Sequence, residues 1–146
     1  MPERGARIVE RTARTILAFD FGLKRIGIAV GEPELGTAHP LPAIAAPGFD
    51  MIAKLISEWR PGALVVGLPV AERGAHPLAR RVERFARQLE GRFRLPVARV
   101  DERFTSVEAE SRLRGTTKKS GMKKTSIDSV AAQLILEQYL NDHAAA

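Results

Sequence analysis

The chain has 146 residues, 45% of them hydrophobic and 27% charged, and its 23 Lys and Arg outweigh 17 Asp and Glu for a formal net charge of +6. That size and apolar content suit one soluble domain with a proper core and exclude disorder throughout, and no apolar run approaches the roughly 20 residues of a membrane-crossing helix. Cysteine is absent, which excludes disulfides, thiolate nucleophiles and zinc–thiolate sites, while the basic balance points to a polyanionic partner.

Residues 1–14 carry Arg4, Arg7, Arg11 and Arg14 with no apolar stretch behind them. They read as a basic flexible arm, not a secretory signal, and the expected location is cytoplasmic. A single domain is expected over 15–141, with 142–146 as a tail. Ile16–Phe19 forms a first short strand ending at Asp20-Phe21-Gly22, and Ile26–Val30 forms a second, joined to it by a tight hairpin. Thr37–Ile44 forms a third, placed at a sheet edge because Pro40 and Pro42 lack donors. Ile52, Leu55, Ile56 and Trp59 recur at helical spacing behind Asp50 as cap, and Pro61-Gly62 ends that helix. Trp59 is expected in the core. Ala63–Val66 is a buried strand stopped by Gly67-Leu68-Pro69. A second helix runs from about His76 to Arg92, and Pro96–Val100 is a fifth strand leading into Asp101-Glu102-Arg103. Thr105-Ser106-Val107-Glu108 has capping-box form and opens a third helix. A basic loop over 115–124 follows, and a last helix spans about Ser126 to Asn141.

Three antiparallel strands followed by right-handed crossovers predict an α/β fold. Its five-stranded mixed sheet has the order 3-2-1-4-5, strand 2 antiparallel, with helices on both faces. Strand 1 is then central, and Asp20 at its end requires a reason. Either the strand stops at Phe19 and Asp20 opens a turn, or a cation offsets the several kcal/mol, roughly, of burying a carboxylate. Asp101 and Glu102 end strand 5, where ligands collect in such sheets; they also suit the start of the next helix, where negative charge is favoured. Asp128, in the first turn of the last helix, has the same two readings. Asp20, Asp128 and a carboxylate of the Asp101-Glu102 pair together make an oxygen-only set suited to Mg2+ or Mn2+. Two-metal phosphodiester hydrolysis is the chemistry such a set supports. His39, His76 and His143 lie beside proline or in the tail and read as surface residues. Between Ser111 and Ile127 there is no acidic residue, and Arg112, Arg114, Lys118, Lys119, Lys123 and Lys124 fall there.

Four segments carry a resemblance. Ala18–Val30, Val65–Pro69, Asp101–Ser106 and Lys124–Ala132 followed by Leu134-Ile135-Leu136 resemble, in that order, the motifs of the YqgF/RuvX family. The resemblance covers about 15–141. It implies a ribonuclease H-like fold and a metal-dependent nuclease whose metal-binding acids are Asp20, Glu102 and Asp128, with Asp101 as a substitute for Glu102. The family carries two assignments, 5′-end maturation of pre-16S ribosomal RNA, which is favoured here, and resolution of Holliday junctions. Lys24, Arg25, Arg103, Lys118, Lys119, Lys123 and Lys124 are then the expected nucleic-acid contacts. A ribosomal precursor particle is a further expected partner, and the chain is expected to be a monomer or a weak homodimer. Val70–Pro77 departs from the family's polar loop with Asp and Ser, which bears on substrate choice more than on fold or metal site. The competing readings are a non-catalytic RNA-binding assembly factor and, at lower rank, a nucleotide phosphotransferase.

Overall fold

The computed structural model describes residues 15–69, 76–102 and 129–143. The elements in chain order are β1 (Ile16–Phe21), β2 (Arg25–Glu32), β3 (Thr37–Ala45), α1 (Phe49–Trp59), β4 (Ala63–Leu68), α2 (Ala79–Phe93), β5 (Val97–Asp101) and α3 (Val130–His143). The five strands form one sheet in the order β3-β2-β1-β4-β5. β1 runs antiparallel to β2 and parallel to β4, and β4 runs parallel to β5. This is the expected ribonuclease H-like topology. The helix expected from Thr105, the 115–124 loop, the arm and residues 144–146 lie outside the described residues, whereas Asp142 and His143, expected in a tail, continue α3.

Strand alternation divides the core in two. Leu17, Phe19, Leu64, Val66 and Val97 face α1 and α2, with Ile52, Val82, Phe85 and Leu89 packed on them. Phe85 sits among Phe19, Phe21 and Phe49, at ring separations of 6.0, 5.1 and 6.0 Å. The opposite face is built from Ile16, Ala18, Ala29, Ala38, Val65 and Val100, covered by Ala132, Ile135, Leu136 and Leu140 of α3. That second face is largely small residues. A Cβ on Gly31 would lie 2.8 Å from Leu136 Cδ2, and one on Gly67 would lie 2.4 Å from Ile135 Cδ1. The helix therefore lies low on the sheet.

Several local expectations are corrected. β1 continues past Phe19, because Asp20 and Phe21 pair with Gly27 and Ile26; Asp20 does not open a turn. β4 continues through Gly67 to Leu68, each paired with β5. Asp50 does not cap α1: Gly48, at φ 61°, precedes the helix and Asp50 lies in its first turn. α2 begins at Ala79, not His76, since His76–Leu78 forms a separate turn in which the Leu78 N–H donates to His76 Nδ1 at 3.1 Å. Trp59 is 39% exposed, because α1 is fully buried only at Ile52.

The edge strand β3 shifts register against β2 between Ile26 and Ile28. Pro40 and Pro42 supply no donor there, and the Ile28 N–H points elsewhere: it donates to Ser129 Oγ at 2.9 Å. Ser129 is fully buried at the entrance to α3. Ser129→Ala should leave the Ile28 N–H unsatisfied in the interior and cost about 1–3 kcal/mol, measured as a lower urea midpoint at unchanged m.

Candidate active site

The alternation that sorts the core also sorts the acids. Ala18, Val65 and Val100 face α3, so the residues two further along, Asp20, Gly67 and Glu102, fall on the same side. Asp20 and Glu102 stand on strands that flank β4, about 10 Å apart by strand spacing alone. Their side chains nevertheless meet in a hydrogen bond. Gly67, on the intervening strand, makes this possible: a Cβ there would lie 3.1 Å from Glu102 Oε1. The backbone holds Glu102 in place, its N–H donating to the Leu68 carbonyl at 3.0 Å.

Two carboxyl groups in contact in one partly buried corner cannot both ionise freely. Burial first, then the Glu102 charge and the hydrogen bond to it, raise the Asp20 pKa from 3.8 to about 7. Glu102 is also raised by burial, while the hydrogen bond from Asp20 and any positive charge on the nearby His76 ring work in the opposite direction. Asp20 thus holds the proton and Glu102 accepts it. A corner with two carboxylate oxygens and a proton trapped between them is chemically suited to a hard divalent cation, which would replace that proton. Among the described residues no third Asp, Glu or His completes a metal-binding cluster.

The other expected site residues are placed as follows. Asp101 is exposed and, on strand alternation, belongs to the opposite side of β5 from Glu102; its carbonyl accepts a hydrogen bond from Gln138 Nε2 at 2.7 Å. Lys24 and Arg25 are exposed at the β1–β2 hairpin, just beyond Asp20. Gly22 sets the tightness of that turn, since a Cβ there would lie 2.5 Å from the Arg25 carbonyl oxygen. Arg103, Lys118, Lys119, Lys123, Lys124 and Asp128 lie outside the described residues. Asp128 immediately precedes Ser129, which is tied to Ile28, the residue after Asp20's pairing partner Gly27.

Three participants do not stand out in the sequence reading. Gly67 has a signal, an isolated glycine inside a β-branched run, which marks a close approach in a strand. Ser129 has a weaker one, a hydroxyl among apolar helix positions. His76 is not the surface residue expected: it is half-buried and lies within electrostatic reach of Glu102. His39 and His143 are exposed.

No helix among the described residues is long and apolar enough to cross a membrane. In overall shape the chain is similar to the fowlpox virus resolvase bound to Holliday junction DNA, with a TM-score of 0.56 at 11% identity over 88% of this chain and 97% of that one. It is also similar to T. thermophilus RuvC bound to a Holliday junction substrate, with a TM-score of 0.51 at 13% identity over 90% and 97%. At such identity these likenesses concern the fold. Sequence relatives are much nearer. A protein of Nitrosomonas europaea, provisionally named a pre-16S rRNA nuclease, is 50% identical over 137 residues, covering 90% of this chain and 93% of its own. One of Nitrosospira multiformis with the same provisional name is 43% identical over 98% of both chains. Residues 14–142 match the RuvX family, described as Holliday junction resolvase. With the ribonuclease H-like sheet and these relatives in agreement, the chain belongs to the RuvX family.

Proposed function

We propose that this protein is a cytoplasmic, divalent-metal-dependent nuclease that hydrolyses phosphodiester bonds during 5′-end maturation of pre-16S ribosomal RNA. The observation that carries the reading is the Asp20–Glu102 pair, two carboxyls held in contact across Gly67 and sharing a proton near neutral pH. Asp20, Glu102 and Asp128 would hold Mg2+ or Mn2+. Bound there, a pair of such ions supplies an activated water and charge stabilisation at the leaving oxygen. The chain's own part is to keep the carboxylates oriented from two rigid strands and to exclude water with Ile135, fully buried beside Gly67. Lys24 and Arg25 at the hairpin would hold flanking phosphates, and Arg103 would do so from beyond β5. The relatives' provisional names support the ribosomal RNA substrate, and a ribosomal precursor particle is the corresponding partner. Nothing in this arrangement requires more than one chain, so a monomer or a weak homodimer is sufficient.

The family description and the junction-bound structural neighbours favour a second substrate, four-way DNA. A direct comparison decides between them: a pre-16S 5′ fragment and a four-way junction, each with Mg2+, with Mn2+ and with chelator. Metal-dependent cutting of the RNA alone supports the reading, and cutting of the junction alone replaces the substrate. Retained binding with no cutting of either would favour an assembly factor.

Lys118, Lys119, Lys123 and Lys124 form the proposed phosphate track. Replacing all four by Gln should reduce the slope of log binding constant against log salt by about 3 on single-stranded RNA. An unchanged slope would remove this loop from the interface.

A further inference from the structure

Six arginines stand against two glutamates between Arg80 and Arg94. Val82, Phe85, Ala86 and Leu89 of α2 are buried against the sheet. Arg80, Arg84, Arg87 and Gly91 recur at helical spacing on the opposite side, as a ridge about 16 Å long, and all four are exposed. A solvated helix face ordinarily mixes the two signs of charge, as α1 does with the exposed Asp50, Lys54, Glu58 and Arg60. On α2 both acids are drawn off the ridge. The Arg99 guanidinium of β5 donates to both carboxylate oxygens of Glu83, at 2.9 and 3.3 Å, and to both of Glu90, at 2.9 and 3.0 Å. The ridge therefore presents one sign of charge, with Arg80 and Arg84 at the four-residue spacing where like charges repel. Gly91 weakens it further, since alanine would hold the last turn of α2 better. A Cβ there would meet nothing within 4 Å, so no packing contact among the described residues accounts for the glycine. A helix that gives up stability twice on its outer face, for cations and for a bare stretch of backbone, fits an extended polyanion lying close across it.

We propose that the outer ridge of α2 binds the sugar–phosphate backbone of the substrate RNA away from the cut, with Arg80, Arg84 and Arg87 on phosphates and the strand passing close to the helix at Gly91. This rests on the nucleic-acid substrate of the proposed function and extends its binding surface to the face of the sheet opposite α3. Arginine suits the task, because its planar fork bonds two phosphate oxygens at once. Such contacts carry no base sequence; they set the position of the strand. The direction of α2 connects the ridge to the acids. Three residues separate Phe93 from Val97, so α2 ends near the start of β5 and begins toward the end of the sheet where Asp20 and Glu102 stand. Arg80 is then the end of the ridge nearer the cut, and Gly91 the farther one.

Three variants of the full chain test this on a uridine-only single-stranded RNA, with melting temperature measured alongside. Arg80→Gln with Arg84→Gln removes two ridge cations and relieves their repulsion, so the protein should melt no lower than the parent. The slope of log binding constant against log salt should fall by about 1.4, the share of two phosphate contacts on a single strand. Lys54→Gln with Arg60→Gln removes the same charge from α1 and should change the slope by less than half as much. Gly91→Leu alters no charge and places bulk on the bare stretch; it should melt at or above the parent temperature yet bind the RNA more weakly. An unchanged slope in the ridge pair, or an equal change in the α1 pair, overturns the assignment, and parental affinity in Gly91→Leu overturns the close approach. On a substrate that the parent cuts, the ridge pair should raise KM and leave kcat as it was, because these contacts hold the substrate equally before and during reaction. A fall in kcat at unchanged KM would overturn a role away from the cut. If the parent cuts neither RNA nor junction, the nuclease reading fails by itself, and the salt slopes still decide for or against the ridge.

Discussion

Asp20→Asn is expected to abolish cleavage, by at least about a hundredfold, and at the same time to stabilise the protein at neutral pH. The first effect follows from losing a carboxylate where a cation must be held against the developing charge of the reaction. The second follows from the proton. The folded protein holds Asp20 at a pKa of about 7 against an ordinary value of 3.8. Between those values the folded chain keeps a proton that the unfolded chain releases, so stability falls as pH rises from about 4 to about 7 and levels off above. Asparagine never ionises and escapes that loss. The variant should therefore melt several degrees above the parent at pH 8 and level with it at pH 4. Mn2+ should raise the parent's melting temperature at pH 8 by occupying the pair, and should do so much less in the variant. Cleavage at the parental rate would remove Asp20 from the site. A lower melting temperature at pH 8 would mean that the carboxyl pair is not under repulsion.

Gly67→Ala should destabilise the packing of α3 on the sheet and disturb the acid pair at once. The new Cβ would lie 2.4 Å from Ile135 Cδ1 and 2.9 Å from its Cγ1. Ile135 is fully buried, so it cannot swing into solvent, and relief requires α3 to lift. Overpacking of that kind costs about 1–3 kcal/mol. The same methyl crowds Glu102 Oε1 at 3.1 Å, so cleavage should fall even at temperatures where the variant is fully folded. Adding Ile135→Val, which removes Cδ1, should recover part of the stability and little of the activity. Recovery of both together would place the damage in α3 alone and take Gly67 out of the site.

The order of the strands was legible because each carries its own mark: the Asp-Phe-Gly hairpin, the two prolines of the edge strand, the β-branched run of β4. The choice between Asp101 and Glu102 was not, and β5 explains why. A half-covered strand shows which face is inward by alternating apolar with polar, but Val97 and Val100 have opposite parity. Arg99, between them, is no guide either, because Glu83 and Glu90 of α2 clasp its guanidinium at 2.9 Å each. Those two acids, with burial acting against them, raise its pKa still further, and a charge can then occupy a covered face. That pairing is tertiary and leaves no trace in the local pattern. His76 was obscured for a similar reason, since a histidine before proline looks like any loop residue until the turn that orients it is seen. Asp50 sits in the first turn of a real helix, but glycine in a left-handed conformation already directs the chain into it.

The helix that covers one whole face of the sheet is also the last described element of the chain. β1, β2 and β3 leave the ribosome some hundred residues before Ile135 and Leu136 can reach them, as the separation of Ile28 and Ser129 by 101 positions records. Until then Asp20 faces water rather than a helix, and its carboxyl behaves as an ordinary acid. Long-range closure of this kind is slow and comes late in folding. A partly synthesised chain therefore carries the hairpin cations without a finished pair of acids, so on the proposed function it would bind nucleic acid before it could cut it.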